Sequence, residues 1–130
     1  MARIHDIVFD CRHPASLARF WAAAIDGYAV APYDNAELAR LRSEGVDDPE
    51  DDPTVLVEPA GAGPRLFFQR VPEPKSAKNR VHLDLRCDDI EVEVARLLRL
   101  GARAVTLETR SSRTWAVLAD PEGNEFCLST

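Results

Sequence analysis

From Arg80 to Arg86 the chain alternates polar and apolar residues, so a strand here sends Val81, Leu83 and Leu85 to one face and His82, Asp84 and Arg86 to the other. One face suits a core and the other suits chemistry. The segment has an echo near the start of the chain. Ile4-His5-Asp6-Ile7-Val8-Phe9-Asp10-Cys11 opens with the same apolar-His pair, and His5 and His82 stand 77 residues apart. Each segment is followed by a short polar turn and an amphipathic helix, a pattern that points to a duplicated folding unit.

The flanking sequence fills in both copies. Residues 3–11 read as a strand; Pro14 opens a helix whose Leu17, Phe20, Trp21, Ala24 and Ile25 recur every three or four residues until Asp26-Gly27. Short strands are expected at 28–32, 54–58 and 65–71, with a helical turn or two at 36–41 and a solvated acidic loop at 45–53. After the strand at 80–86, Asp88 or Asp89 caps a helix striped by Ile90, Val94, Leu97 and Leu98 and ended by Gly101. Strands at 104–109, 114–119 and 125–129 follow, the last two joined by a tight Asp120-Pro121-Glu122-Gly123-Asn124 turn. The order is strand, helix, three strands, twice over. The predicted fold is therefore α+β: two βαβββ modules, residues 1–74 and 78–130, in one domain. One helix per module covers one face of a four-stranded sheet, and the bare faces curve into a shared cup for a ligand.

Composition bounds the function. With 130 residues, 45% of them hydrophobic, the chain can bury one core, and no apolar run approaches the length that spans a bilayer. The start of the chain enters a strand pattern with no signal peptide, and Cys11, Cys87 and Cys127 form no C-x-x-C motif, so a cytoplasmic protein with reduced thiols is expected. The net charge of −6 is concentrated in residues 33–53, which carry eight acids against Arg40 and Arg42. A chain of that balance, without a basic helix, is not expected to bind nucleic acid. Lys75, Lys78 and Arg80 form the one positively biased loop, suited to clamp an anionic ligand or to pair with the acidic segment within the chain or across a homodimer.

The chain resembles the vicinal oxygen chelate superfamily, and within it the glyoxalase-like branch of small bacterial proteins. The residues that carry the likeness are Asp10, Pro14, Leu17-Ala18-Arg19-Phe20-Trp21, the run from Phe68 to Lys75 and on through Lys78 to Leu85, and Asp120 to Cys127. The resemblance implies a paired βαβββ architecture. It also implies a divalent metal held by one residue each from the first and last strands of both modules: His5, Gln69 (or Phe67 in a register shifted by two), His82 and Cys127. Glyoxalases and ring-cleaving dioxygenases of the superfamily place a carboxylate where Cys127 stands, and glyoxalases often place another where Gln69 stands. Gln69 offers a neutral oxygen, Cys127 favours a softer metal such as zinc, and neither is a ready base at neutral pH. Without a metal, His5 and His82 read as two hydrogen-bonded histidines in a polar cup, and Cys127 as a small core residue between Phe126 and Leu128.

The expected ligand contacts are Asp84, Arg80, Lys78, Lys75, Trp115 and Phe67, with Trp115 alternatively in the core. Three functions remain open on these residues: a metal-dependent lyase or isomerase acting on a small polar metabolite, a non-catalytic binder like the bleomycin-resistance proteins, and a scaffold whose cup is filled by Phe67, Phe68 and Trp115. The modules pair within one chain or swap between two.

Overall fold

The computed structural model describes residues 1–110 and 113–130 and divides into two compact units, Met1–Pro74 and Lys75–Thr130. The first contains β1 (Asp6–Cys11), α1 (Pro14–Ala24), β2 (Tyr28–Val30), α2 (Asn35–Ser43), a 3-10 turn at Pro49–Asp51, β3 (Thr54–Pro59) and β4 (Arg65–Arg70). The second contains β5 (Asp84–Arg86), α3 (Ile90–Leu100), β6 (Arg103–Arg110), β7 (Arg113–Ala119) and β8 (Glu125–Ser129). One sheet has the order β1-β4-β3-β2 and the other β5-β8-β7-β6. In each, the first and last strands of the unit run parallel and the other pairs antiparallel. The fold is α+β, with two four-stranded mixed sheets and three α-helices among the described residues.

Each core follows from the pleat. In the first unit Val55 and Val57 of β3 and Leu66 and Phe68 of β4 are buried, and they meet the Leu17, Ala18, Phe20 and Trp21 stripe of α1. Phe9 joins them, its ring 4.9 Å from Phe68 and 5.2 Å from Trp21 between centroids. Burying each large side chain of this kind contributes about 1.5–3 kcal/mol, which is what pins α1 to one face of the sheet. The second unit repeats the pattern with Ile90 and Leu97 of α3 over Ala116, Leu118, Phe126 and Leu128. Asp89 caps α3 by accepting from the Glu91 and Val92 N–H groups, and Gly101 ends it at φ 115°, a conformation that suits glycine. No described helix is long and apolar enough to cross a membrane.

Three expectations from sequence are corrected. The repeat is offset by 76 residues, not 77: α1 and α3 begin at Pro14 and Ile90 and end at Ala24 and Leu100. In the same frame Val8 pairs with Phe67, and Asp84 pairs with Cys127. His82 therefore corresponds to Asp6, and His5 to Val81. The strand expected at 80–86 is only Asp84–Arg86. The ladder runs as far as the bond from the Cys127 N–H to the Leu83 carbonyl, but the next acceptor on β8, the Glu125 carbonyl, takes the Asn79 side-chain amide at 3.3 Å instead. Finally, the run expected as a solvated loop at 45–53 is partly ordered. It holds the 3-10 turn at Pro49–Asp51, Arg19 of α1 holds Glu50 through two bonds of 2.7 and 2.8 Å, and Asp52 is 2% exposed, while the helical turns expected at 36–41 form the nine-residue α2 capped by Asp34.

Candidate functional site

In each unit the helix occupies one face of the sheet, so the chemistry collects on the other. On β8 Phe126 and Leu128 point into the core, and the pleat turns Glu125, Cys127 and Ser129 the opposite way. On this open face of the second sheet lies a hollow of about 300 Å³ lined by His82, Asp84, Arg86, Thr114, Trp115, Cys127, Ser129 and Thr130. Cys127 and Trp115 are thus half-buried lining residues, not core.

Three donors converge here. The His82 Nε2 lies 3.2 Å from the Asp84 Oδ1, and His82, Asp84 and Cys127 each offer one ligand atom within 4.8 Å of the others. Burial pushes the Cys127 thiol pKa up; the neighbouring Asp84 charge and a hydrogen bond to Asp84 add to this, and Lys78 opposes it. The thiol is therefore protonated at neutral pH and donates to Asp84. A nitrogen, a carboxylate oxygen and a sulfur make a donor set that zinc-type ions accept. Tetrahedral ligation with bonds of about 2.0–2.3 Å spaces donors about 3.5 Å apart, so these side chains, of which His82 and Asp84 are exposed, would draw in by about an ångström. The set fits a divalent metal with one position left open.

Glu125 shares the face of Cys127 but is occupied. Its carboxylate accepts from the Asn79 backbone N–H at 3.0 Å and from the Lys75 ammonium at 3.2 Å. The Asn79 N–H foremost, then its own N–H and Lys75, hold its pKa down at about 2 against the opposing effect of burial. A carboxylate so held is a poor general base. The same contacts tie Lys75, which also bonds the Ala77 carbonyl, while Lys78 and Arg80 remain exposed.

The corresponding places in the first unit hold different chemistry. Where His82 and Asp84 stand, the 76-residue frame puts Asp6 and Val8, and Phe67 pairs with Val8 across β1 and β4 as Cys127 pairs with Asp84 across β5 and β8. Arg65 holds Asp6 at 2.7 Å, and this guanidinium foremost lowers the Asp6 pKa. His5 is exposed at the end of β1, its Nδ1 3.0 Å from Asp6 and 3.2 Å from Arg65. Gln69 donates its amide to Asp10 at 2.7 Å. Of the four metal positions drawn from the resemblance, His5 and Gln69 thus belong to the first unit, and His82 and Cys127 share the second-unit hollow with Asp84.

The first unit holds a larger hollow, about 810 Å³, lined by Ala31, Pro32, Tyr33, Asp34, Ala36, Glu37, Arg40, Asp52, Thr54, Leu56, Glu58 and Phe67, of which only Phe67 is among the ligand contacts expected from sequence. At its edge Tyr33 donates to Asp52 at 2.8 Å, and Asp52 also accepts from the Thr54 N–H. Burial first, then this bond, raises the Tyr33 pKa well above the phenol range, so the ring stays neutral. No local motif announces this pair; the only signal is a lone tyrosine ahead of an acidic run.

A family model described as glyoxalase-like domain matches residues 6–129. The chain belongs to the glyoxalase-like domain family. No curated protein matches this glyoxalase-like chain, but solved structures share its fold. A glyoxalase/bleomycin resistance protein/dioxygenase family enzyme from Burkholderia phytofirmans is 17% identical, with a TM-score of 0.68 over 98% of both chains. The fosfomycin resistance protein FosX from Mesorhizobium loti is 14% identical at a TM-score of 0.65, covering 99% of this chain and 91% of its own. A bleomycin-binding protein complexed with bleomycin is 16% identical at 0.58, over 100% of this chain and 98% of its own. At these identities the likeness establishes the fold of the glyoxalase/bleomycin resistance/dioxygenase superfamily and leaves the ligand to the residues of this glyoxalase-like chain.

Proposed function

We propose that this protein binds a small polar metabolite on the open face of its second sheet, with a divalent metal held by His82, Asp84 and Cys127. The observation that carries the reading is the meeting of these three donors in a hollow with Trp115 and Arg86. Trp115 offers a flat wall, and Arg86, with Lys78 nearby, favours an anionic group on the ligand. When bound, the metal would polarise a ligand oxygen, the chemistry on which lyase and isomerase steps rest. Cys127 must give up its proton to ligate, so metal affinity falls as pH is lowered. Residues 1–74 and 78–130 would be the two modules of one domain.

A second reading, binding without catalysis, is supported by Glu125: this carboxylate, on the same face of β8 two residues from Cys127, is held by the Asn79 N–H and the Lys75 ammonium. Free thiols at Cys11, Cys87 and Cys127 support a cytoplasmic setting.

Calorimetric titration of chelator-treated protein with Zn²⁺ tests the metal. One ion per chain is expected, with affinity at least tenfold weaker in His82→Ala and in Cys127→Ser. Wild-type affinity in both variants would remove His82 and Cys127 as ligands, and failure of the wild type to bind would remove the metal and leave the non-catalytic reading.

A further inference from the structure

The first-unit hollow is large enough for a metabolite, since ligand sites commonly enclose about 300–1,000 Å³, and it has the layered chemistry of a site. Leu56 of β3 and Phe67 of β4, directly paired across the ladder, form an apolar floor. Ala31, Pro32 and Ala36 extend the apolar lining, and the Tyr33 ring adds an aromatic wall. Around this lining stand four carboxylates, Asp34, Glu37, Asp52 and Glu58, against the single guanidinium of Arg40.

The partners of these charges decide which sign of ligand the hollow favours. Arg40 is spent: its Nε and Nη2 hold Glu37 at 2.6–3.2 Å and its Nη1 holds Glu44 at 2.9 Å. Asp34 is engaged with the Glu37 N–H at the start of α2, and Asp52 with Tyr33 and the Thr54 N–H, but neither forms an ion pair among the described residues. Glu58 acts on Arg65 only through its charge, while Arg65 itself is hydrogen-bonded to Asp6. The lining is therefore net negative after its internal pairs are formed. Asp34 and Glu58 are exposed, so their field on whatever fills the hollow is strongest at low salt.

We propose that the hollow between α2 and the open face of the first sheet binds a small organic cation, an amine or amidine carrying an aromatic or alkyl body. The body lies on Leu56 and Phe67 beside the Tyr33 ring, and the charged head faces the exposed Glu58. Aromatic faces at Tyr33 and Phe67 add cation–π attraction. None of these residues belongs to the metal-donor set, so this inference does not depend on that reading.

The test uses benzamidine, with neutral benzamide and anionic benzoate as matched controls, followed by chemical-shift titration of the full chain at low salt. Benzamidine is expected to bind at least tenfold more tightly than either control, with the shifts concentrated at Tyr33, Leu56 and Phe67. Glu58→Gln should weaken it about fivefold, and Arg40→Ala, which removes the one lining cation, should strengthen it. Equal affinity for benzamidine and benzamide, or shifts away from these residues, would overturn the proposal. So would unchanged affinity in Glu58→Gln while its amide spectrum remains that of the folded protein. Zn²⁺ titration of the Glu58→Gln variant should match wild type, which keeps this result separate from that of the second-unit site.

Discussion

Glu125 is the most informative single carboxylate to remove. Its side chain accepts the Asn79 N–H and the Lys75 ammonium, and its carbonyl accepts the Asn79 amide, so it fastens the segment from Lys75 to Leu83 to β8. Glu125→Ala deletes the two carboxylate contacts and leaves the third. A hydrogen bond from a half-buried N–H to a charged acceptor contributes about 1.5–3 kcal/mol, and a partly exposed Lys pair about 0.5 kcal/mol. A loss of about 2–3 kcal/mol is expected, borne by opening of this segment more than by the cores. Every 1.4 kcal/mol is about tenfold in the open population, so trypsin should cut after Lys75, Lys78 and Arg80 about 30–100 times faster than in wild type. Glu125→Gln keeps an acceptor for Asn79 and should give a smaller increase. The pH dependence separates charge from shape. The Glu125 pKa is about 2 in the folded protein, below the 4.5 of an unperturbed glutamate. Its contribution is therefore whole above about pH 4.5 and is lost as pH falls from there towards 2. The melting-temperature gap between wild type and Glu125→Gln should accordingly close across that window. Wild-type cleavage rates in Glu125→Ala, or a gap that does not change with pH, would refute the latch.

Two further substitutions test buried carboxylates whose partners are known. Tyr33→Phe strips the phenol donor from Asp52, which is 2% exposed and is left to accept from the Thr54 N–H; urea unfolding should show a loss of about 1–3 kcal/mol, and no loss would mean that water replaces the hydroxyl. Asp120 is fully buried and accepts from the Glu122 and Asn124 N–H groups and the Asn124 amide at 2.8–3.1 Å. Asp120→Ala should cost about 3 kcal/mol in the same assay, with Asp120→Asn milder, and equal effects of the two would show that the charge, not the acceptor geometry, holds the turn.

Where physics acts locally the fold was legible. Val55 and Val57, like Leu66 and Phe68, are buried because a strand's pleat has period two and only one face meets a helix; that signal survives in the sequence alone. The Asp120–Asn124 turn was readable for the same reason, since its acceptor and donors lie within four residues. What escaped were contacts between residues far apart in sequence. Asn79 shortens β5 by capturing a carbonyl 46 residues away, and Asp52 is drawn out of solvent by a tyrosine 19 residues back. Neither partner is marked by its neighbours.

The candidate site was half legible for a sharper reason. His5 and His82 are identical residues, and identity suggested a 77-residue frame; the helix ends and strand pairings set it at 76. In a strand a one-residue slip exchanges faces, so the error turned a polar-for-polar correspondence, Asp6 with His82, into a matched pair of histidines. In the correct frame the second unit carries Asp84 where the first carries Val8, and their strand partners are Cys127 and Phe67. The apolar member of each pair supports a ligand-sized hollow or an exposed sheet face, and the polar member brings donors. Two units built on one backbone plan thus present unlike surfaces, and the likeness that reveals the fold does not decide which face carries the chemistry.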